Sequence, residues 1–249
     1  MGRSIMANAA RSNLKRVILE LGGKSPVVVF ADADIPKAAA AVAAEITFKS
    51  GQYCAAGSRV FVQRSVYDVF LEMLRKVMAD VRTGAGYLRD SDMGPMISQR
   101  QRGRAEEIIR DGARQGGVVL CGGHAKPGAG YFFEPTILAD VDPETRPWRE
   151  EIFAPVLAVT SFPDDAPLED IAARANDSCY GLSAKVWSRD LQRVLGMIAL
   201  FEAGQVIANG GGGEATLPFG GVKLSGYGRE DGFEGVAAYT EIKSVRLGY

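Results

Sequence analysis

Two kinds of segment alternate along this chain, and the alternation limits the folds open to it. Val27-Val28-Val29-Phe30 is a short, continuous apolar run. Arg59 to Gln63, Val118 to Leu120, Pro155 to Phe162, Ser183 to Trp187 and Gln205 to Asn209 are others. Between them lie stretches with helical spacing. Asp34 stands where it would cap a helix through Ile35, Ala39, Val42, Ala43 and Ile46. Ser65 opens a helix with Val66, Phe70, Met73, Leu74, Val77 and Val81 on one face. Arg100 to Gln115 is a third, highly charged helix, and Pro167 to Asn176 and Leu191 to Phe201 are two more. Strands separated by helices predict an α/β fold: a mixed, mostly parallel sheet with helices on both faces. The unbroken apolar strands agree, because a strand buried on both faces need not alternate.

The two ends fit this pattern less well. Arg3 to Asn13 reads as a helix and Arg16 to Leu21 as a strand, but such a pair at a sheet edge ordinarily has more sheet before it. Tyr239 to Tyr249 alternates weakly and is expected to pair elsewhere as a strand. The 249 residues are enough to bury a sizeable core. With 29 basic and 30 acidic residues, the chain has no net pull toward nucleic acid or an anionic membrane. No apolar run approaches the ~20 residues of a membrane span, and the first residues predict no signal peptide. Cys54, Cys121 and Cys179 are far apart and lack C-x-x-C spacing, which argues against a disulfide framework or a zinc site and for a reducing, cytoplasmic setting. His124 is the single histidine, so Ser-His, Cys-His and His-rich metal chemistry has little to draw on.

Four places carry residues of chemical interest. Cys54 lies between a helix and a strand in Gly51-Gln52-Tyr53-Cys54-Ala55-Ala56-Gly57, where the flanking glycines allow close backbone approach to a ligand. Its thiol is either a nucleophile or a small packing residue. Glu20, in Leu19-Glu20-Leu21-Gly22-Gly23-Lys24-Ser25-Pro26, sits among apolar residues before Gly-Gly. Partial burial would raise its pKa toward that of a useful base; the alternative is an exposed carboxylate paired with Lys24. Glu150-Glu151 precede an apolar strand and suit a ribose diol or a solvated turn. The glycine-dense run Leu217 to Glu230 suits a loop closing over a pocket, without P-loop spacing.

Together, these segments resemble the aldehyde dehydrogenase superfamily. The matching residues are Glu20 to Pro26, Gly51-Gln52-Tyr53-Cys54, Glu150 to Pro155, and Pro218-Phe219-Gly220-Gly221 with Lys223 and Ser225-Gly226, in the family's order. The resemblance implies oxidation of a small-molecule aldehyde to a carboxylic acid with NAD or NADP. Cys54 matches the nucleophile, which passes through a thiohemiacetal and a thioester. Glu20 matches the general base. Glu151 matches the carboxylate that holds the nicotinamide ribose, Phe153 the residue packed near that ring, and Gln101 a second ribose contact. Tyr53 and Asn209 fall where the family lines its substrate pocket. No metal is implied.

The resemblance also divides the chain. It implies a remnant of the Rossmann-like cofactor domain over 1–22, a catalytic domain over 23–223, and a C-terminal segment, 224–249, returning toward the cofactor and oligomerisation region. The family's glycine motif, oxyanion-hole asparagine and subunit-pairing hairpin lie outside this sequence. That predicts weak NAD(P)+ binding by the chain alone, and an exposed edge at the Arg16 to Leu21 strand. It also predicts an ion-pair cluster of Arg16, Arg229 and Glu241. Tyr53 is bulkier than the family's usual residue, Ala154 replaces a usual glycine, and the Gly210 to Gly213 run replaces a more varied funnel segment. Two other readings stay open: a cofactor-independent cysteine esterase, and a non-catalytic fragment that forms a homo-oligomer or pairs with a full-length relative.

Overall fold

The computed structural model describes residues 1–212 and 214–249, so Gly213, the last of the glycine run, lies outside the described residues. In chain order the elements are α1 (Gly2–Arg11), β1 (Leu19–Glu20), β2 (Pro26–Val29), α2 (Ile35–Thr47), β3 (Arg59–Gln63), α3 (Tyr67–Ala79), α4 (Gln99–Arg114), β4 (Val118–Cys121) and β5 (Thr136–Ala139). There follow α5 (Arg146–Arg149), β6 (Val156–Phe162), α6 (Leu168–Asn176), β7 (Tyr180–Gly181), β8 (Ser183–Trp187), α7 (Leu191–Leu200), β9 (Gln205–Ala208), β10 (Val222–Lys223), β11 (Gly226–Tyr227) and α8 (Gly232–Ala237).

Seven strands form the main sheet in the order β4-β5-β6-β3-β2-β8-β9. Every neighbouring pair is parallel except β4 with β5. This is the mixed, mostly parallel sheet expected, with helices on both faces. Along β2, Val27 and Val29 pack under α2 and α3 with Ala39, Val42, Phe70 and Leu74. Val28 points the other way, into a layer with Ile171 and Ala172 of α6 and Val194 and Met197 of α7. All three valines are essentially inaccessible, which is why the run is continuous rather than alternating. Asp34 caps α2 as expected, accepting from the Lys37 amide at 3.2 Å. Ser98 caps α4 through the Gln101 amide.

Two expectations need correction, and one strand lies where none was expected. The N-terminal strand shrinks to Leu19–Glu20, which does not border the main sheet. It pairs antiparallel with Gly226–Tyr227 in a separate two-stranded sheet, so one of its edges is paired. The reading did not single out β5, a four-residue strand buried between β4 and β6. The tail forms no strand: residues 240–249 carry no regular structure and are exposed, Ile242 fully so, because no strand edge lies beside them among the described residues. No described helix is long and apolar enough to cross a membrane.

Candidate active site

The loops entering β2, β3, β6 and β8 all arrive at the amino edge of the parallel strands. Open α/β sheets ordinarily bind ligands beyond the carboxyl edge. Here the chemically interesting residues gather at the opposite end. Glu20 stands ahead of β2, Cys54 ahead of β3, and Glu151 with Phe153 ahead of β6.

Glycines make the approach of these loops possible. A Cβ on Gly23 would lie 2.2 Å from the Cys54 carbonyl oxygen, so no side chain fits where the two loops touch. Gly51 has φ +67° and its missing Cβ would sit 2.1 Å from the Ala154 carbonyl oxygen, so it is constrained by both backbone conformation and space. The first contact joins the Glu20 loop to the Cys54 loop; the second joins the Cys54 loop to the Phe153 loop.

Glu20 is the most unusual carboxylate of the cluster. Both of its oxygens are buried without a hydrogen-bond partner among the described residues. It is not paired with Lys24, whose buried ammonium also lacks a partner among the described residues. Burial raises the Glu20 pKa, the Glu230 carboxylate raises it further, and the Arg229 guanidinium opposes both. Gly220, in the glycine-dense loop, lies against Glu20 Oε1. Burial also pushes the Cys54 thiol up, against amide hydrogen bonds from Ala55 and from Cys54 itself, while the Glu20 and Glu151 carboxylates add to the rise. The thiol therefore favours its neutral form until a neighbouring base takes the proton.

The adjacent glutamates diverge. Glu150 turns outward to Arg146 Nε at 2.7 Å and Arg104 Nη2 at 3.0 Å, and Arg146 holds its pKa down. Glu151 turns inward; its Oε1 accepts from the Gly23 amide at 3.0 Å, and burial raises its pKa. Phe153 has φ +57°, an uncommon conformation for a residue with a side chain, and its ring is exposed. Gln101 and Arg104, three residues apart on α4, brace this loop. Gln101 Nε2 donates to the Ile152 and Phe153 carbonyls at 2.7 and 2.9 Å. Arg104 donates to the Glu151 and Ile152 carbonyls at 2.8 and 3.1 Å. The Gln101 amide nitrogen is thus committed to the loop, and its carbonyl oxygen remains for a further contact. Gln101, Arg104, Glu151, Phe153 and Tyr180 line a cleft of about 540 Å³.

Tyr53 and Asn209 are placed differently. The Tyr53 hydroxyl donates to Glu45 Oε1 at 2.8 Å, and its ring lines a cavity of about 250 Å³ with Lys185, Trp187 and Gly210. Asn209 follows β9, next to Gly210 of that cavity, and its amide bridges the Ser188 backbone in both directions. The expected ion-pair cluster is formed by two of its three members: Arg16 meets Glu241 at 2.8 Å. Arg229 Nη1 instead donates to the Gly221 and Gly228 carbonyls. Sequence reasoning missed Arg104, although its i, i+3 spacing from Gln101 was visible. It also missed Glu45 and Lys185, whose pairing had no local signal. No metal-binding cluster of three or more His, Cys, Asp or Glu occurs among the described residues.

A thiol and two half-buried carboxylates, brought together by glycine loops at one edge of a mostly parallel sheet, define an α/β domain with a candidate acyl-transfer cleft. The aldehyde dehydrogenase family model matches residues 1–245, and the chain belongs to that family. It is 41% identical over 248 residues to an aldehyde dehydrogenase of Agaricus bisporus, covering 99% of this chain and 49% of the relative. It is equally similar to a mitochondrial aldehyde dehydrogenase of Leishmania tarentolae, at 41% over 248 residues, again 99% and 49%. The crystal structure of an NAD-dependent aldehyde dehydrogenase from Sinorhizobium meliloti superposes with a TM-score of 0.94 at 38% identity, covering 99% of this chain and 48% of that one. The chain spans about half the length of the relatives it matches.

Proposed function

We propose that this chain carries the acyl-transfer residues of an NAD(P)+-dependent aldehyde dehydrogenase that oxidises an aldehyde to a carboxylic acid. The observation that carries the proposal is Glu20. A carboxylate with both oxygens buried and unpartnered among the described residues, and electrostatically coupled to the Cys54 thiol, is suited to act as a base.

Cys54 Sγ adds to the aldehyde carbon while its proton passes to Glu20, directly or through one water. The carbonyl oxygen becomes the thiohemiacetal oxygen, which the backbone amides of this loop would stabilise. When bound, NAD(P)+ supplies the hydride acceptor that converts the thiohemiacetal to a thioester. Glu20 passes the thiol's proton to solvent and, again a carboxylate, takes a proton from water; the hydroxide adds to the thioester carbon, and the C–S bond breaks to release the acid. The released thiolate recovers its proton from Glu20.

The residues present fit the nicotinamide-ribose end of such a cofactor. Glu151 has one oxygen fixed by Gly23 and the other free to accept from ribose hydroxyls. Phe153 offers an exposed aromatic face on a loop held by Gln101 and Arg104. The S. aureus betaine aldehyde dehydrogenase, a structural relative at TM-score 0.89 and 36% identity, was crystallised with NAD+.

The test follows reduced-cofactor absorbance with NAD+ or NADP+ and a panel of aldehydes. Turnover that disappears in Cys54→Ala supports the reading. Turnover of an activated ester without cofactor, and none of an aldehyde with it, overturns it in favour of a cysteine esterase.

A further inference from the structure

Beneath the Cys54 loop, in the layer between α2 and the main sheet, lies an ion pair that no sequence motif announces. Lys185, in the middle of β8, is 5% exposed. Its ammonium meets Glu45 Oε1 of α2 and donates to the Ala55 carbonyl at 2.6 Å. The same Glu45 oxygen accepts from the Tyr53 hydroxyl at 2.8 Å and from the Gly57 amide at 3.1 Å. The two side chains therefore hold residues 53, 55 and 57, which bracket Cys54 from both sides. Ala55, the residue after Cys54, is gripped through its carbonyl.

The arrangement has more in it than stability requires. A buried ion pair is at best weakly stabilising against apolar residues of the same shape, because two ions must be desolvated. Here all three loop contacts converge on the five-residue segment that carries the nucleophile at its second position. The pair is also balanced: the ammonium and the carboxylate sit beneath the same peptide with opposite charge. Other groups bear on Cys54 from its remaining sides, namely Glu20 from β1 and Glu151 from the loop ahead of β6.

We propose that Lys185 and Glu45 are positioning residues, a charge-balanced clamp that fixes the Tyr53–Gly57 peptide and with it the orientation and charge environment of the Cys54 thiol. This rests on the reading of Cys54 as the nucleophile. Removing one charge leaves the other uncompensated under the loop. Lys185→Met leaves a carboxylate, which disfavours the thiolate and frees the Ala55 carbonyl. Glu45→Gln leaves an ammonium still gripping Ala55, which favours the thiolate. Simple loosening of the loop would move both variants the same way.

The experiment is iodoacetamide alkylation of the whole chain across pH, read by peptide mass spectrometry at Cys54, with Cys121 as reference in the same sample. The clamp predicts opposite displacements of the Cys54 profile midpoint: upward in Lys185→Met and downward in Glu45→Gln. A displacement of one pH unit changes the thiolate fraction at neutral pH about tenfold. Lys185→Arg should recover most of the wild-type profile, and Cys121 should not move. Displacements of the same sign, or none, overturn the proposal. If Lys185→Met does not fold, Glu45→Gln decides alone, because an upward or absent shift there is fatal. A wild-type Cys54 no faster than Cys121 refutes the nucleophile reading instead, while the opposed shifts remain readable.

Discussion

The amino edge of the sheet and the periphery formed by α1, the segment just after it and the tail treat polar groups in opposite ways. At the edge, Glu20 and Lys24 are buried without partners among the described residues, and Glu151 is tied by one amide. At the periphery, Arg16 and Glu241 make a well-formed pair with side chains 73% and 76% exposed. Good pairing in water contributes little to stability, whereas poor pairing in the interior shifts protonation strongly. The difference teaches where to look for chemistry: among the burdened groups, not the satisfied ones.

The largest effect expected is from Cys54→Ala, which should abolish both aldehyde turnover and the fast alkylation signal while leaving the denaturation midpoint unchanged. Persistent turnover would mean that the edge is not the reacting region. Next comes the core that supports the edge. Trp148 packs edge-on against Phe61, 4.9 Å between ring centroids, beside the buried Arg59 guanidinium. Trp148→Ala should cost about 3–5 kcal/mol in guanidinium unfolding, against a change within about 0.5 kcal/mol for Tyr239→Ala in the exposed tail.

The pH dependence sharpens the contrast further. Burial lowers the Lys24 pKa from 10.5 to about 7, with the nearby Arg59 guanidinium adding to the fall. Between those values the unfolded chain binds more protons than the folded one, so folding gains stability as pH rises through this window. Lys24→Met should therefore be more stable than wild type near pH 6, with the advantage shrinking as pH rises from about 7 toward 10.5. An advantage that stays constant with pH would show that Lys24 is not held against its charge. Glu20 has the opposite sign. Its raised pKa means stability falls as pH rises above the ordinary carboxylate value, so Glu20→Gln should gain on wild type in that direction. The smallest effect belongs to the periphery: Arg16→Ala should cost less than about 1 kcal/mol and less still in high salt.

Much of the sheet was legible because its strands are buried on both faces. Val27 to Phe30 and Arg59 to Gln63 have to be strands of a covered sheet, and they are. The Glu20 and Cys54 loops were legible as motifs, since glycines at fixed offsets mark where backbones must touch. Less could be read where partners are remote. That Leu19–Glu20 pairs with Gly226–Tyr227 in a separate small sheet had no local signal. Asn209 was named from its motif alone; that its amide bridges the Ser188 backbone is a choice made by the turn after β9.

By itself the sequence determined the layering, the cap at Asp34, and which residues carry reactive groups. These follow from periodicity and side-chain chemistry, both local properties of the chain. Only the tertiary structure decided that Glu150 faces two arginines while Glu151 faces a backbone amide, that Glu20 is left without a partner among the described residues, and that Lys185 reaches Ala55 across 130 residues of sequence. Protonation and orientation depend on which atoms lie within a few ångströms, and those neighbours are set by the packing of distant segments.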